Sequence, residues 1–214
     1  YGRGPGRRKA LALAAAALLT PMSGRAEASE VRILALGDSL TAGYGLARSE
    51  GFVAQLEAAL RAKGVPARVL DGGVSGDTTA GGRARLDWAL ADRPDVAIVA
   101  LGGNDGLRAI PPEATHANLD AILRRLAERK VPALLVGMLA PPNLGAEYGE
   151  AFRGTFERLS RAHDVVFYPF FLDGVAAEPA LNQPDGIHPN ARGVAVMVER
   201  ILPAVERLIE KARS

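Results

Sequence analysis

Five short, largely apolar runs punctuate the chain from Val31 onward: Val31–Leu36, Ala67–Asp71, Asp95–Leu101, Pro132–Met138 and Val165–Tyr168. They are near-continuous rather than alternating, as expected for strands buried on both faces of a parallel sheet. Between them the apolar residues take helical spacing. Val53, Leu56 and Leu60 form one such stripe, Leu119, Ile122, Leu123 and Leu126 a second, and Phe152, Phe156 and Leu159 a third. A long final helix carries Val194, Met197, Val198, Ile201, Leu202, Val205, Leu208 and Ile209, and Pro203 should kink or divide it. Strand–helix alternation repeated about five times predicts an α/β fold, a doubly wound three-layer α/β/α sandwich around a five-stranded parallel sheet. No repeat, charge block or linker interrupts it, so residues 29–214 should form a single domain.

That architecture makes a geometric prediction. In a parallel sheet the turns that follow the strands all fall on one edge, where open α/β folds keep their chemistry. Gly37-Asp38-Ser39 follows the first strand. Gly72-Gly73-Val74-Ser75-Gly76-Asp77 follows the second, and Gly102-Gly103-Asn104-Asp105 the third. The stretch from Pro169 to Pro189 is long for a connection in a compact domain, a length often reserved for function. It ends in Asp185-Gly186-Ile187-His188, just before the last helix. Four polar, glycine-rich turns should therefore meet on one rim.

Ser39 is the candidate nucleophile among them. A serine hydroxyl needs an adjacent base, and the base needs an orienting acceptor. His188 is the best-placed base, with Asp185 three residues earlier to accept from its Nδ1–H and leave Nε2 facing Ser39. Acyl transfer also requires donors for a tetrahedral oxyanion. The Ser39 amide, the Gly76 amide and the Asn104 side-chain amide are the candidates. The serine turn is not the G-x-S-x-G elbow of α/β-hydrolases, because its local sequence is Gly37-Asp38-Ser39-Leu40-Thr41.

The chain resembles the SGNH, or GDSL, hydrolases over about residues 31–205. The residues that carry the likeness are Gly37-Asp38-Ser39-Leu40 with Thr41-Ala42-Gly43-Tyr44-Gly45, Ser75-Gly76-Asp77-Thr78, Leu101-Gly102-Gly103-Asn104-Asp105-Gly106-Leu107-Arg108, and Asp185-Gly186-Ile187-His188-Pro189-Asn190. Each motif alone is weak; all four in the family's order and spacing are specific. The third and fourth are similar to those of a bacterial periplasmic group of thioesterases, arylesterases and lysophospholipases. The resemblance implies a flavodoxin-like sheet, Ser39 as nucleophile, Asp185 and His188 completing a triad, and Gly76 and Asn104 completing the oxyanion hole. It also implies hydrolysis of aryl esters, fatty acyl thioesters and lysophospholipids with no metal or cofactor. None of these five residues departs from the family pattern.

Other polar residues receive plainer readings. Asp38 should bond backbone amides of its own turn, and Asp105 should cap the helix after the third strand. Thr78 and Thr79 should cap the next helix. His116 should lie on the surface, His163 should sit at a helix C-terminus with no partner required, and Trp88 should be a core residue. Leu107 and Ile110 after the Asn104 turn, and Leu139 and Pro141 after the fourth strand, are candidate walls of an acyl groove.

Composition fits this picture. Apolar residues make up 48% and charged residues 23% of 214 residues, ordinary values for a globular chain. The formal net charge of +2 belongs to residues 1–28, where Arg3, Arg7, Arg8, Lys9 and Arg25 face Glu27 alone. The remainder is mildly acidic, so no nucleic-acid partner is expected. Arg7-Arg8-Lys9, the apolar run Ala10–Leu19 and Ala26-Glu27-Ala28 fit a secretory signal cleaved near Ala28, too short to span a bilayer. The expected product is a periplasmic or secreted monomer acting on a small-molecule acyl ester or thioester, with no stable membrane insertion. With no cysteine there is no thiol chemistry. Three rivals stay open at this point. They are a carbohydrate O-acetyl esterase using the same triad, a flavodoxin-like protein binding FMN or phosphate at the rim, and a metal hydrolase using Asp38, Asp105, Asp185 and His188.

Overall fold

A computed structural model describes residues 1, 2 and 29–214. The proposed leader, residues 3–28, lies outside the described residues. Five strands form one all-parallel sheet in the order β2-β1-β3-β4-β5. They are β1 (Val31–Gly37), β2 (Ala67–Gly73), β3 (Val96–Ala100), β4 (Ala133–Val136) and β5 (Val166–Tyr168). This is the flavodoxin-like order, with its switch point between β1 and β3. The central strands are buried along their length, with Ile33, Leu36, Ile98 and Leu134 at 0% exposure. That burial accounts for the unbroken apolar runs in the sequence.

The helices are α1 (Ser39–Ala42), α2 (Phe52–Ala62), α3 (Thr79–Ala84), α4 (Leu86–Ala89), α5 (Gly103–Leu107), α6 (Pro112–Glu128), α7 (Ala146–Ala162) and α8 (Ala191–Arg213). Helices α2 and α8 pack together on one face of the sheet, and α3, α6 and α7 on the other. The predicted stripes face the core: Leu119, Ile122, Leu123 and Leu126 on α6, and Phe152, Phe156 and Leu159 on α7, are all buried. Helix α8 runs unbroken through Pro203 rather than dividing there. Pro203 and Glu199 both lie on the solvent face, so water can satisfy the Glu199 carbonyl that the proline ring leaves without an N–H.

Two further expectations are corrected. Trp88 is 77% exposed. The one-turn α4 directs Leu86 and Ala89 inward, which turns Trp88 out beside β2. There it edges a groove of about 910 Å³ that contains neither Ser39 nor His188. His163 does have a carboxylate partner: its Nε2 lies 2.8 Å from Asp120 Oδ1. This pair ties the end of α7 to α6 near the start of β5, away from the glycine-rich rim.

The strand ends set up the site. Gly37 of β1 is level with Gly73 of β2 and with Ala100 of β3. At Gly73 the backbone of α1 comes so close that an added Cβ would lie 2.4 Å from the Ala42 amide nitrogen. The obstacle is main chain and cannot swing aside. Gly73→Ala should therefore push α1 off the sheet and destabilise the fold by about 1–3 kcal/mol. Chemical denaturation of the variant, with ester hydrolysis assayed alongside, checks this, and activity should fall with stability.

Candidate active site

The turn that carries Ser39 is built by Asp38. Its carboxylate caps α1, with Oδ1 accepting from the Leu40 amide at 3.1 Å. Gly43, at φ 73°, ends the helix after one turn. Ser39 is thus the first residue of a tightly closed turn at the end of β1. The same turn is tied to the next loop by Arg85. Its Nη2 donates to the Gly37 carbonyl at 2.9 Å, and its Nε pairs with Asp77 Oδ2 at 2.6 Å.

The loop after β5 reaches back across the rim to meet Ser39. An antiparallel bridge between Asn182 and Pro189 closes its tip. Inside the tip, Asp185 Oδ1 accepts from the Ile187 and His188 amides at 2.9 and 3.0 Å. Its Oδ2 lies 2.7 Å from His188 Nδ1. His188 Nε2 in turn lies 2.9 Å from Ser39 Oγ. The backbone and imidazole hydrogen bonds from His188, with the Ile187 amide, pull the Asp185 carboxyl down to about 2. An ionised carboxylate only accepts, so Nδ1 carries the proton and Nε2 is left to accept from the serine hydroxyl. Ser39, His188 and Asp185 are therefore brought into one hydrogen-bonded line.

Gly76 and Asn104 stand on the same rim and line the same pocket as Ser39. Gly76 takes φ 82°, a conformation that suits glycine, in a turn closed by the Asp77 amide on the Val74 carbonyl at 3.0 Å. Among the described residues neither the Ser39 nor the Gly76 amide is engaged by a protein acceptor. Asn104 Nδ2 donates one hydrogen to Asp38 Oδ2 at 3.4 Å, which leaves the other free.

The pocket encloses about 560 Å³ and its walls are mainly apolar: Leu107, Met138, Leu139, Ala140, Pro141, Phe170 and Leu172. Three of the four proposed wall residues, Leu107, Leu139 and Pro141, line it. Ile110 does not. Its amide is bonded to the Asp105 carbonyl at 3.0 Å and its carbonyl accepts from the Tyr148 hydroxyl at 2.7 Å, which anchors it toward α7. Met138, Phe170 and Leu172 were missed, although the rule that the rim follows each strand reaches them too.

Asp105 also differs from expectation. It does not cap α5, on which it sits. Its buried carboxylate accepts from the Thr79 amide at 2.9 Å, from the Thr79 hydroxyl, and from the Thr115 hydroxyl at 3.1 Å. It thus caps α3 from a neighbouring element, with Thr78 as the conventional N-cap. Thr79 is consequently a hydroxyl donor inside the core rather than a cap. Asp38 and Asp105 are each hydrogen-bonded to groups other than His188, and Asp105 is buried between α3 and α6. Among the described residues no cluster of three or more such side chains has metal-binding geometry.

Two further residues shape the site, Tyr44 of the first motif and Gln183, which no motif contains. The Tyr44 ring packs against the His188 ring with centroids 4.6 Å apart. Gln183 Nε2 clamps the Tyr44 carbonyl at 2.7 Å and the Pro189 carbonyl at 3.0 Å, joining the two loops that carry Ser39 and His188.

Comparison with known proteins identifies the family. Residues 35–196 match the model of the GDSL-like lipase/acylhydrolase family. The chain belongs to that family. It is 36% identical over 184 residues to a protein named esterase TesA from Pseudomonas aeruginosa, covering 86% of this chain and 92% of that one. It is 39% identical over 167 residues to thioesterase 1/protease 1/lysophospholipase L1 of Escherichia coli strain K12, covering 78% of each. Among solved structures, AlinE4, described as an SGNH-hydrolase family esterase, is similar with a TM-score of 0.72 and 48% identity. That match covers 84% of this chain and 96% of the other.

Burial makes Asp38 a test of how this site is held. Desolvation pushes its carboxyl from 3.8 up to about 6, against the opposing effect of its hydrogen bonds to Leu40 and Asn104. Between these values the folded protein keeps a proton that the unfolded chain has released, so this group's contribution to stability is lost as pH rises through about 6. Asp38→Asn should therefore gain stability relative to the wild type as pH rises from about 4 to 7. Its turnover should fall, because an amide nitrogen cannot accept from Asn104. Melting temperatures of both proteins across that range, with kcat at pH 7, check both parts.

Proposed function

We propose that this protein is a serine esterase that hydrolyses acyl esters and thioesters through an acyl-enzyme. The reading is carried by one observation, the unbroken line Asp185 Oδ2–His188 Nδ1 and His188 Nε2–Ser39 Oγ, at 2.7 and 2.9 Å. Removing the Ser39 proton to His188 frees Oγ to attack the acyl carbonyl. The imidazolium that forms faces an ionised Asp185. The carbonyl oxygen becomes an oxyanion within reach of the free Ser39 and Gly76 amides and the Asn104 side chain, which favour the tetrahedral state over the flat ester. Proton return from His188 releases the alcohol or thiol. A water deprotonated by His188 then attacks the acyl-enzyme and releases the acid.

The pocket supports the substrate class. Its walls give an acyl chain apolar contact along Leu107, Leu139, Pro141 and Phe170. An acetyl group would leave most of about 560 Å³ unfilled. Aryl esters, fatty acyl thioesters and lysophospholipids fit better than the carbohydrate O-acetyl esters of the rival reading. The names of the relatives, esterase, arylesterase and thioesterase/lysophospholipase, point to the same chemistry. No helix among the described residues is long and apolar enough to cross a membrane. Separately, the leader pattern of residues 1–28 supports export to the periplasm or medium, and we propose that the enzyme acts there as a monomer.

Ser39→Ala should abolish hydrolysis of p-nitrophenyl esters across a series of acyl lengths while leaving the far-ultraviolet circular dichroism unchanged. In the wild type kcat/KM should rise from acetyl to medium-chain esters. Retained turnover in the variant would remove the nucleophile, and acetyl-only activity in the wild type would favour the carbohydrate esterase. Asn104→Ala should lower kcat about 10²–10³-fold with little change in KM, as expected for a donor that acts mainly in the transition state. Steady-state kinetics on the same esters separate this from a loss of ordinary substrate binding.

A further inference from the structure

Arg108 sits just past α5, exposed at the rim, and the proposed mechanism gives it no task. Its hydrogen bonds link the two donors that lie on different elements. Its backbone N–H donates to the Asn104 carbonyl at 3.1 Å. Its side-chain Nη2 donates to the Gly76 carbonyl at 2.9 Å. We propose that Arg108 is a positioning residue that fixes the Gly76 amide relative to Asn104, and so sets the spacing of the oxyanion hole.

The two sides of this bridge are unequally held. The α5 side is rigid. Asp105 is buried among Thr79 and Thr115, and the Ile110 carbonyl is fixed by Tyr148. The Gly76 side is held less directly, on either side of Gly76, by the Val74 amide on the Gly37 carbonyl at 3.1 Å and the Asp77 amide on the Val74 carbonyl at 3.0 Å. Val74, Ser75 and Gly76 are all exposed, so no core packing locates them. Arg85 holds the turn one residue further on, through Asp77. Gly76 has no side chain, and among the described residues Arg108 is the only one whose side chain is bonded to it. An arginine suits the task because its planar, pre-organised donor loses less freedom per bond than a lysine ammonium would. Small errors matter here, because an oxyanion donor acts only at the position the developing charge will occupy.

The proposal rests on the serine-esterase reading, and its test keeps the two apart. Arg108→Met retains the aliphatic stem and removes the donor; Arg108→Lys restores a cationic donor. With p-nitrophenyl butyrate, Arg108→Met should lower kcat about 10- to 100-fold, the range expected of small misplacements remote from the reacting bond. KM and the melting temperature should stay at wild-type values, and Arg108→Lys should recover most of the loss. In an Asn104→Ala background the same Arg108→Met change should cost only a few-fold, because the spacing it maintains no longer serves two donors. Unchanged kcat, a change confined to KM, or an equal loss in the Asn104→Ala background would overturn the proposal. Turnover retained by Ser39→Ala, measured beside them, would instead overturn the serine reading itself.

Discussion

Everything at the rim depends on the register of the three central strands. Gly73, Gly37 and Ala100 lie level across β2, β1 and β3. Ser39, Gly76 and Asn104 follow these ends by two, three and four residues, so three turns from distant parts of the sequence leave the sheet at one height. A shift of one residue in any strand would turn its side chains to the opposite face and lift its loop away from the others. The buried apolar faces of Ile33, Leu36, Ile98 and Val99 resist that shift. The hydrophobic core therefore does more than stabilise the domain: it fixes the relative positions of Ser39, Gly76 and Asn104. Glycines at the strand ends then let α1 and the following turns approach more closely than side chains would permit.

Much of this was legible in the chain because it follows from pattern and direction. Unbroken apolar runs imply a doubly covered parallel sheet, and a parallel sheet gathers its outgoing turns on one edge. That reasoning brings Ser39, Gly76, Asn104, Asp185 and His188 to one rim, and four ordered motifs carry the family resemblance. The errors share a different cause. Trp88 was assigned by residue type, but in a one-turn helix the direction of a side chain depends on which neighbours face in. Asp105 and His163 were assigned from their own elements, whereas their partners, Thr79 and Asp120, are 26 and 43 residues away in sequence. Ile110 continues a wall in sequence but not in space, because Tyr148 draws its backbone aside. Tertiary hydrogen bonds of this kind leave no periodic trace in a sequence.

Tertiary hydrogen bonds of the same kind hold the rim together. Arg85 joins the serine turn to the Gly76 loop, Gln183 joins the Tyr44 segment to the His188 loop, and Asp105 seats α5 against α3. Each uses a polar side chain to tie backbone of one element to another element. A bridge of this kind is directional, whereas apolar packing at an exposed rim would tolerate sliding. The division of labour is coherent. Leucines and phenylalanines hold the strands, while arginine, glutamine and aspartate hold the loops.

The two aspartates nearest Ser39 show how environment separates roles. Asp185 lies on an exposed tip and receives two backbone amides and an imidazole, which hold its carboxyl at about 2. Asp38 is buried with fewer donors, and desolvation raises it to about 6. Asp185 alone of the two is hydrogen-bonded to His188, at Nδ1, the position from which a carboxylate can support an imidazolium. Asp38 does not take that position even though it adjoins Ser39 in sequence. Its cost of burial is accepted because its two oxygens do what no apolar residue can. One closes the turn that presents Ser39, and the other faces Asn104, so the proposed nucleophile and one proposed oxyanion donor are registered to a single carboxylate. Proximity in the motif thus marks Asp38 as architecture, and the carboxylate bonded to His188 arrives from a loop almost 150 positions later.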